Sequence, residues 1–526
     1  MFDLVFAGGT VVDGSGSPGR RTDVGVIGEV IAAIDDLRGA EARRVIDATG
    51  LTVAPGFIDT HTHSEGALLV DPQHACGLRQ GITTEFLGID GMSYAPLSPA
   101  NYQAYRHWLG GLLGQPPADL DMSSVTAFRS HYHRRVSINT AYLVPHATVR
   151  LEVLGFRDAR LEGPALEQAR RLVRTGLQQG AVGFSTGSRY YPGPWADTAE
   201  LVELGRTVKE AGGVFMCEPR GALLERAHGG SGVQEALEVA RQTGVRLHFA
   251  HYRTLPPTAG RIDLIMEHID PAKARGADVT FDIYPYPVGS SIPLSLLPAA
   301  AQDGGPAAIL RRLQDPATRQ TIARQLDAEH GPELEGLLLS YLPGRPPLEG
   351  ASLSDLARER SLSTGAALCA LLLEEDLQIG FVAAPPRSMA VWRQLSQDYM
   401  ELLARPDYMV CSDITPAGSS PHPRCYGAFP RFLGRLRRAF PTLTLEAMVH
   451  RMTEAPARRF GLRRRGRIEK SYFADLVAFD ADRVIDTATY DDPLQFPVGI
   501  PYVAVNGGLA VDREQCTGLL AGQAVP

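Results

Sequence analysis

The feature that most constrains the fold is the alternation of strand-like and helix-like segments through the middle of this 526-residue chain. Amphipathic segments such as 165–180 and 232–244 separate short apolar runs over about residues 56–465. Repeated βα units of this size predict an α/β fold in which a parallel sheet closes into a TIM-like (β/α)8 barrel. The strand-like runs start at Gly81, Ala181, Gly213, Val245, Val279 and Tyr408.

Both ends of the chain differ from this pattern, because short strands and tight turns replace the helices. Residues 1–55 and 466–526 each show several strand-like runs separated by glycine-containing turns. A two- or three-stranded piece is marginal by itself. We therefore expect the two ends to form one small β-sandwich domain together, with the barrel over 56–465.

A long stretch interrupts the barrel pattern. Residues 287–380, approximately, are rich in proline, leucine and arginine and are predicted to be mostly helical. We interpret this stretch as an insertion on the loop side of the barrel. An insertion there is positioned to act as a lid that sets specificity.

Composition excludes several classes of protein. The net charge of -7 gives no basic field for nucleic acid. No run approaches the ~20 apolar residues that cross a bilayer, and the N-terminus has no basic region typical of a signal peptide. We therefore expect a cytoplasmic protein without a membrane or nucleic-acid partner. The oligomeric state is not readable from the sequence.

The sharpest motif is the pair His61-Thr-His63 at the end of the apolar run Pro55-Gly-Phe-Ile-Asp. Residues i and i+2 of a strand point to the same side, so both imidazoles face one way. At the C-terminal end of a barrel strand, this arrangement is typical of half a metal site.

Other potential ligands follow further predicted strands. Two histidines, a third histidine and several carboxylates around one end of a barrel suit one or two zinc-type divalent ions. Manganese or another divalent metal is also compatible with this set. The further candidates are Asp90, Glu218, His251 and Asp413, with Cys217 as the alternative to Glu218.

Two metals close together need a bridging anion. A lysine is an unsuitable bridge here, because Lys209, Lys273 and Lys470 are the only lysines and none ends a predicted strand. Asp90 or Glu218 remains as a carboxylate bridge.

Longer motifs carry a resemblance to a known family. They include APGFIDTHTH, QGITTEFLGIDG, HFAHYRT, FDIYPYPVG and CSDITPAGSSPHPRCYGAFPRFLG. With these motifs the chain resembles the amidohydrolase superfamily, and within it the N-acyl-D-amino-acid deacylases, or D-aminoacylases. The resemblance covers almost the whole chain outside the insertion.

The resemblance implies roles for individual residues. His61, His63 and His251 match metal ligands, and Asp413 matches the catalytic aspartate. Further positions match the part of the site that binds the substrate. Arg424 corresponds to the arginine that binds the α-carboxylate, Arg253 and Tyr284 or Tyr286 to further carboxylate contacts, and Tyr190 or Tyr191 to the loop on the acyl side.

Two departures concern the metal site. The family's Gly-Asn-Cys-Gly turn reads Gly88-Ile-Asp90-Gly91 here, and its Thr-His-x-Arg run reads Cys217-Glu218-Pro219-Arg220. Carboxylates thus replace a thiolate and an imidazole, which favours harder metals. A shift of one position in the second run would make Cys217 the ligand.

The residues also indicate a mechanism. A metal ion lowers the pKa of a bound water and polarises an amide carbonyl, and Asp413 accepts the proton and passes it to the leaving amine. His146 is a candidate for stabilising the oxyanion, while Arg424 and Arg253 have the geometry to bind a carboxylate. We expect hydrolysis of an N-acyl amino acid to a carboxylate and a free amino acid.

Two alternatives remain open at this point. One is a cyclic-amide hydrolase of the hydantoinase or dihydroorotase type, many of which use a lysine bridge. The other is a non-catalytic barrel that serves as a scaffold or binding module. The second alternative predicts inert residues at the ligand positions, whereas Asp90 and Glu218 can both bind metal.

Overall fold

The structure is a computed structural model and describes residues 1–187 and 189–526. The N-terminal region consists of short strands. They are β1 (Phe2–Ala7), β2 (Thr10–Val11), β3 (Arg20–Arg21), β4 (Asp23–Ile27), β5 (Val30–Asp35), β6 (Ala42–Asp47) and β7 (Thr52–Pro55).

Longer connections separate the strands that follow. These strands are β8 (Phe57–Asp59), β9 (Ile82–Leu87), β10 (Asn139–Pro145), β11 (Gly183–Thr186), β12 (Val214–Cys217), β13 (Arg246–Phe249) and β14 (Val279–Ile283). After them come β15 (Ser290–Ser291), β16 (Leu337–Tyr341), β17 (Gly380–Ala383) and β18 (Tyr408–Val410). The chain ends with β19 (Leu476–Phe479), β20 (Tyr502–Val505), β21 (Gly508–Asp512) and β22 (Gln515–Cys516).

The helices lie mostly between the strands of the middle region. They are α1 (Glu65–Val70), α2 (Ala75–Leu78), α3 (Pro99–Leu113), α4 (Val125–Ser130), α5 (His146–Leu154), α6 (Gly163–Gln178), α7 (Thr198–Glu210), α8 (Gly232–Thr243), α9 (Ile262–Met266), α10 (Ile269–Ala274), α11 (Ala299–Gln302), α12 (Gly305–Gln314), α13 (Pro316–Glu335), α14 (Leu353–Glu359), α15 (Thr364–Glu374), α16 (Met389–Ala404), α17 (Arg424–Pro430), α18 (Arg437–Ala439), α19 (Leu445–Met452) and α20 (Glu454–Phe460). A π-helical segment, Arg431–Leu436, joins α17 to α18.

The main sheet has the strand order β18-β14-β13-β12-β11-β10-β9-β8, and its neighbours pair in parallel. A parallel bridge between Thr62 and Ile414 joins its two ends. Strands β8 and β9 are buried along their whole length, as expected for parallel strands covered on both faces. The predicted barrel is therefore confirmed. Strand β10 was not among the predicted strands.

Strands from both chain ends pair with each other, which confirms the predicted shared β domain. One sheet has the order β22-β21-β20-β19-β7-β2-β3, in which β19 pairs antiparallel with β7. The second sheet has the order β5-β4-β1-β6. Apolar side chains of both sheets, including Phe6, Val53 and Leu476, share one core cluster. The boundaries proposed for the domains stay a prediction.

The segment between β14 and β18 is only partly helical. It contains α11–α16, but also the antiparallel sheet β15-β17-β16, which was not predicted. Gly380 and Phe381 of β17 lie in this sheet, and Phe381 also faces the cavity described below. The insertion therefore contributes to the wall of the site.

Among the described residues, no helix is both long and apolar enough to cross a lipid bilayer. The cytoplasmic location stays a prediction.

Candidate metal centre and active site

Five side chains converge where the barrel strands end, and we call them the strand-end cluster: His61, His63, Asp90, His251 and Asp413. Closure of the barrel brings the first and the last of them together. The N–H of Asp413 donates to the carbonyl of His61 at 2.8 Å, and the N–H of His63 donates to the carbonyl of Ile414 at 2.8 Å. His61 and Asp413, which are 352 positions apart in the chain, thereby share one site.

Three members of the strand-end cluster have a left-handed backbone. The φ angles are 52° at Asp90, 33° at His251 and 57° at Asp413. Such conformations cost a non-glycine residue about 1–3 kcal/mol and are concentrated at functional sites. Each of these residues follows a barrel strand by two or three positions.

The ligand atoms of the cluster lie close together. Asp90 Oδ2 is 3.2 Å from His61 Nε2 and 3.6 Å from His63 Nε2. Asp413 Oδ1 is 3.2 Å from His63 Nε2 and 3.6 Å from His61 Nε2. His251 Nε2 lies 3.7 Å from Asp90 Oδ2. Two overlapping groups of three ligands result, and His61 belongs to both.

These separations fit a metal ion. Tetrahedral ligands at about 2.0–2.2 Å from a zinc ion are about 3.3–3.6 Å from each other. The four distances that join His61 and His63 to Asp90 and Asp413 span 3.2–3.6 Å. Buried ring atoms also stay unpaired: within the described part of the chain, no hydrogen-bond partner reaches Nδ1 of His61 or of His63. The cluster therefore matches the donor set and spacing of a divalent metal site.

The pKa shifts of the histidines in the cluster also indicate a site for positive charge. Burial disfavours a protonated His63, but the carboxylates of Asp413 and Asp90 outweigh it and raise the pKa of His63 to about 10. Burial likewise opposes protonation of His251, yet Asp90 and Asp413 raise its pKa to about 9. The carboxylates thus hold positive charge at this point. Metal binding replaces such protons, because ligating histidines are neutral.

Glu218 and Cys217 occupy different positions. Glu218 follows β12 and lines the same cavity as His63 and Asp90, but neither close ligand group contains it. Cys217 is the last residue of β12, and its thiol donates to the carbonyl of Glu218 at 3.4 Å. Burial raises the pKa of the Cys217 thiol well above its usual value, as is typical of an unreactive buried cysteine.

Two guanidinium groups stand beside the cluster. Arg424 Nη1 is 2.6 Å from Asp413 Oδ2, and Arg424 Nη2 donates to Ser290 Oγ at 3.0 Å. Arg253 donates through Nη1 to the carbonyl of His251 at 3.0 Å. The ring of Tyr284 lies against both, with its centroid 3.6 Å from Cζ of Arg253 and 4.7 Å from Cζ of Arg424. This arrangement provides positive charge with planar donors, which suits a carboxylate.

A cavity of about 440 Å³ connects these groups. His63, Asp90, Glu218, His251, Arg253, Tyr284, Asp413 and Arg424 all line it. The opposite wall comes from Tyr190 and from the insertion, with Glu333 of α13 and Phe381 of β17. The structure thus brings together most of the residues that the sequence analysis selected.

Sequence reasoning did not identify some of the lining residues. Ser290 is one example, since its hydroxyl contacts both Arg424 and Thr415. Arg189 and Glu333 are two more, and they lie 3.6 Å apart on the barrel loop and the insertion. The run Gly289-Ser-Ser after Tyr-Pro-Tyr-Pro-Val offered a weak signal for Ser290. Arg189 and Glu333 are 144 positions apart, so no local sequence pattern links them.

Three of the selected residues lie elsewhere. Of the two tyrosine pairs, Tyr284 and Tyr190 line the cavity. Tyr286 packs against His422 with ring centroids 5.2 Å apart, and Tyr191 packs against Trp195 with centroids 5.0 Å apart. The third residue is His146, which does not contribute to the cavity wall.

His146 belongs to a buried polar group that we call the helix-side cluster: His146, Arg150 and Glu200. Its Nε2 is 2.7 Å from Glu200 Oε1, and its Nδ1 is 3.1 Å from Thr186 Oγ1. Arg150 pairs with the other oxygen of Glu200. Both ring nitrogens are therefore engaged by protein groups, and no nitrogen remains for an oxyanion.

Comparison with known proteins agrees with this geometry. A model of the amidohydrolase family matches residues 44–202 and 298–510. An N-acyl-D-glutamate deacylase of Alcaligenes xylosoxydans xylosoxydans is 36% identical over 514 residues, covering 96% of this chain and 93% of the relative. A D-aminoacylase of the same organism is 33% identical and covers 99% of this chain and 97% of the relative.

A solved structure is similar over the full length. The N-acyl-D-glutamate deacylase from Bordetella bronchiseptica, complexed with zinc and a phosphonate inhibitor that mimics the tetrahedral intermediate, has a TM-score of 0.81 and 31% identity. The match covers 100% of this chain and 99% of that one. The chain therefore belongs to the amidohydrolase family and is a hydrolytic enzyme that acts on amide bonds.

Proposed function

We propose that the protein hydrolyses N-acyl-D-amino acids to a carboxylate and a free D-amino acid, with a divalent metal ion, zinc in the first instance, held by the strand-end cluster. The observation that carries this proposal is the cavity that places two metal-ligand groups beside a pair of arginines. A substrate with an amide and an α-carboxylate presents the amide to the metal site and the carboxylate to the arginines. The similarity to N-acyl-D-glutamate deacylase and D-aminoacylase supports this substrate class.

We assign the metal to the two ligand groups that share His61, one with His63 and Asp413 and the other with Asp90 and His251. The spacing of their ligand atoms supports one ion at this position. Bound there, a divalent ion lowers the pKa of water and polarises the amide carbonyl. Glu218 lies on the cavity wall outside these groups, which makes it the candidate ligand for a second ion.

Asp413 is the candidate general base and acid. Burial opposes its ionisation, but the charges of Arg424 and His61 hold the pKa of Asp413 well below its usual range. The carboxylate is therefore ionised at neutral pH and is able to accept a proton from the attacking water. It then delivers this proton to the nitrogen of the leaving amine.

Arg424, Arg253 and Tyr284 form the candidate carboxylate site. Both guanidinium groups are buried, so an ionic hydrogen bond there is stronger than in water. Only one hydroxyl and one carboxylate oxygen contact the terminal nitrogens of Arg424 among the described residues. Further N–H groups of Arg424 remain for a substrate.

A cyclic-amide hydrolase that uses a lysine bridge is less compatible with the structure. Lys209 lies in α7 and Lys273 in α10, and Lys470 follows α20. None of the three lines the cavity. A ring-opening enzyme would therefore need a carboxylate in place of the lysine bridge. Its substrate would also leave Arg424 without an α-carboxylate to bind.

The test combines metal content with a substrate screen. Elemental analysis of the wild type, Asp90→Ala and Glu218→Ala is expected to give one tightly held ion in the wild type, its loss in Asp90→Ala and its retention in Glu218→Ala. Two ions, of which Glu218→Ala loses one, would establish a binuclear centre instead. No bound ion after incubation with zinc or manganese would overturn the proposal and favour a scaffold.

Activity is then measured on matched D- and L-enantiomers of N-acetyl amino acids and on hydantoins. Release of free amino acid from the D-enantiomers supports the proposal. Ring opening of hydantoins without deacylation would overturn it.

A further inference from the structure

A buried carboxylate lies directly beneath the strand-end cluster. Asp282 is in β14 and has no exposed surface. Its Oδ1 accepts the backbone N–H of His251 at 2.5 Å, and its Oδ2 accepts the hydroxyl of Thr60 at 2.9 Å. The ring of His248 contributes a third contact, with Nε2 at 3.0 Å from Oδ2. One carboxylate thus joins three barrel strands or their ends.

Two of these contacts lead to metal-ligand candidates. His251 has a left-handed backbone with φ of 33°, which an L-residue adopts only with support from its surroundings. The hydrogen bond from its own N–H to Asp282 supplies such support at the same residue. Thr60 immediately precedes His61, so the second contact fixes the chain where the first ligand pair begins.

The third contact sets the polarity of the group. The ionised carboxylate of Asp282 only accepts, so His248 donates at Nε2. Its Nδ1 then accepts from the hydroxyl of Thr280, which lies 2.8 Å away. Asp282 therefore receives donors from His248, Thr60 and His251. An ionised carboxylate is acceptor-only and satisfies all of them, whereas an amide would present its own N–H groups to one of them.

We propose that Asp282 is a positioning residue for the metal centre. It holds the backbone of His251 and the segment before His61, so that the Nε2 atoms of these two histidines converge. This inference rests on the proposed function, since it assumes a divalent ion at the strand-end cluster. Residues that orient metal ligands in this way typically contribute about 10–100-fold to metal affinity or activity.

The experiment compares Asp282→Asn with Thr280→Val. Both variants disturb the hydrogen bonds of His248, but only Asp282→Asn alters the contacts to His251 and Thr60. Zinc affinity is measured by competition with a chromophoric chelator, and thermal stability is measured with the metal removed. We expect zinc affinity to fall about 10–100-fold in Asp282→Asn and to stay within about twofold of the wild type in Thr280→Val.

A third variant covers the case in which Asp282→Asn does not fold. Thr60→Val keeps the shape of the side chain and removes one donor to Asp282, and we expect its zinc affinity to fall by up to about tenfold. Wild-type affinity in Thr60→Val and in any folded Asp282→Asn would overturn the inference, whatever their stability. Failure of the wild type itself to bind zinc would instead overturn the proposed function, and the inference with it.

Discussion

The strand-end cluster and the helix-side cluster are both buried groups of histidine and carboxylate, yet they differ in how their atoms are paired. In the helix-side cluster, both nitrogens of His146 have protein partners and Arg150 balances Glu200. In the strand-end cluster, two carboxylates and three imidazoles face one another. The described residues leave Nδ1 of His61, Nδ1 of His63 and Oδ1 of Asp90 without a hydrogen-bond partner.

We infer from this difference that the helix-side cluster has a structural role and the strand-end cluster a functional one. A buried ion pair whose members satisfy each other has no capacity left for a ligand. The strand-end cluster, by contrast, has five potential ligands, two of them carboxylates, whose donor atoms are spaced for a cation. Burial of a histidine therefore does not indicate a site, whereas convergence of potential ligands on one point does.

The largest effect is expected at Asp413. Asp413→Asn keeps the volume of the side chain but removes its capacity to accept and deliver a proton, so kcat should fall by about 10²–10⁴-fold. Steady-state kinetics on an N-acetyl-D-amino acid measure this fall. Glu200→Gln is the matched control from the helix-side cluster, and its kcat should change less than about tenfold. Equal losses in both variants would remove the distinction between the two clusters.

Metal-linked stability should also separate the clusters. A ligand that binds only the folded state stabilises it, by about 4 kcal/mol at a free concentration 1,000 times its Kd. Zinc should therefore raise the Tm of the wild type and of Glu200→Gln, and a chelator should reverse the change. His61→Ala should show no such shift, because His61 belongs to both ligand groups. A zinc-dependent Tm in His61→Ala would place the metal elsewhere.

The helix-side cluster should contribute mainly to stability. Glu200→Gln leaves the buried guanidinium of Arg150 without its charged partner, and breaking a buried pair in this way costs about 3–5 kcal/mol. Urea unfolding with the metal removed measures this loss in the free energy of unfolding. Asp355→Asn, which breaks an exposed pair with Arg358, should cost less than about 1 kcal/mol. Unchanged stability in Glu200→Gln would contradict a structural role for the cluster.

The smallest effect concerns the carboxylate site beside the strand-end cluster. Arg424→Lys keeps the charge but loses the planar arrangement of donors, and a charged hydrogen bond contributes about 1.5–3 kcal/mol. We therefore expect kcat/KM to fall about 10–100-fold, mainly through KM. The same variant should lose little activity on an N-acyl amine that has no carboxylate. A similar loss on both substrates would show that Arg424 acts through Asp413 alone.

Much of the fold is readable from the sequence because its signals are local. Apolar runs followed by amphipathic segments indicated the barrel, and the predicted helices at 165–180 and 232–244 correspond to α6 and α8. Strand β10 escaped notice, although its seven residues are fully buried. It contains Asn139 and Thr140 and ends in a proline, and proline is rarely found inside a sheet.

The site was readable only in part. His61 and His63 share a motif, and Asp90, His251 and Asp413 each follow a strand, so the position of strand ends was sufficient to select them. His146 satisfied the same criterion, because it follows β10 directly. Its pairing with Glu200, 54 residues away, determines that it serves the helix-side cluster, and no local pattern contains this information.

The sequence by itself determined the alternation of elements, the pairing of the two chain ends in one β domain and the kinds of side chain at the barrel strand ends. Periodicity and residue type are properties of neighbouring residues, so they are visible without coordinates. Tertiary structure decided which potential ligands meet within 3.2–3.7 Å, which tyrosine of each pair faces the cavity and where Asp282 lies. These outcomes depend on barrel closure and on contacts between distant segments, because only the folded backbone sets the distances among them.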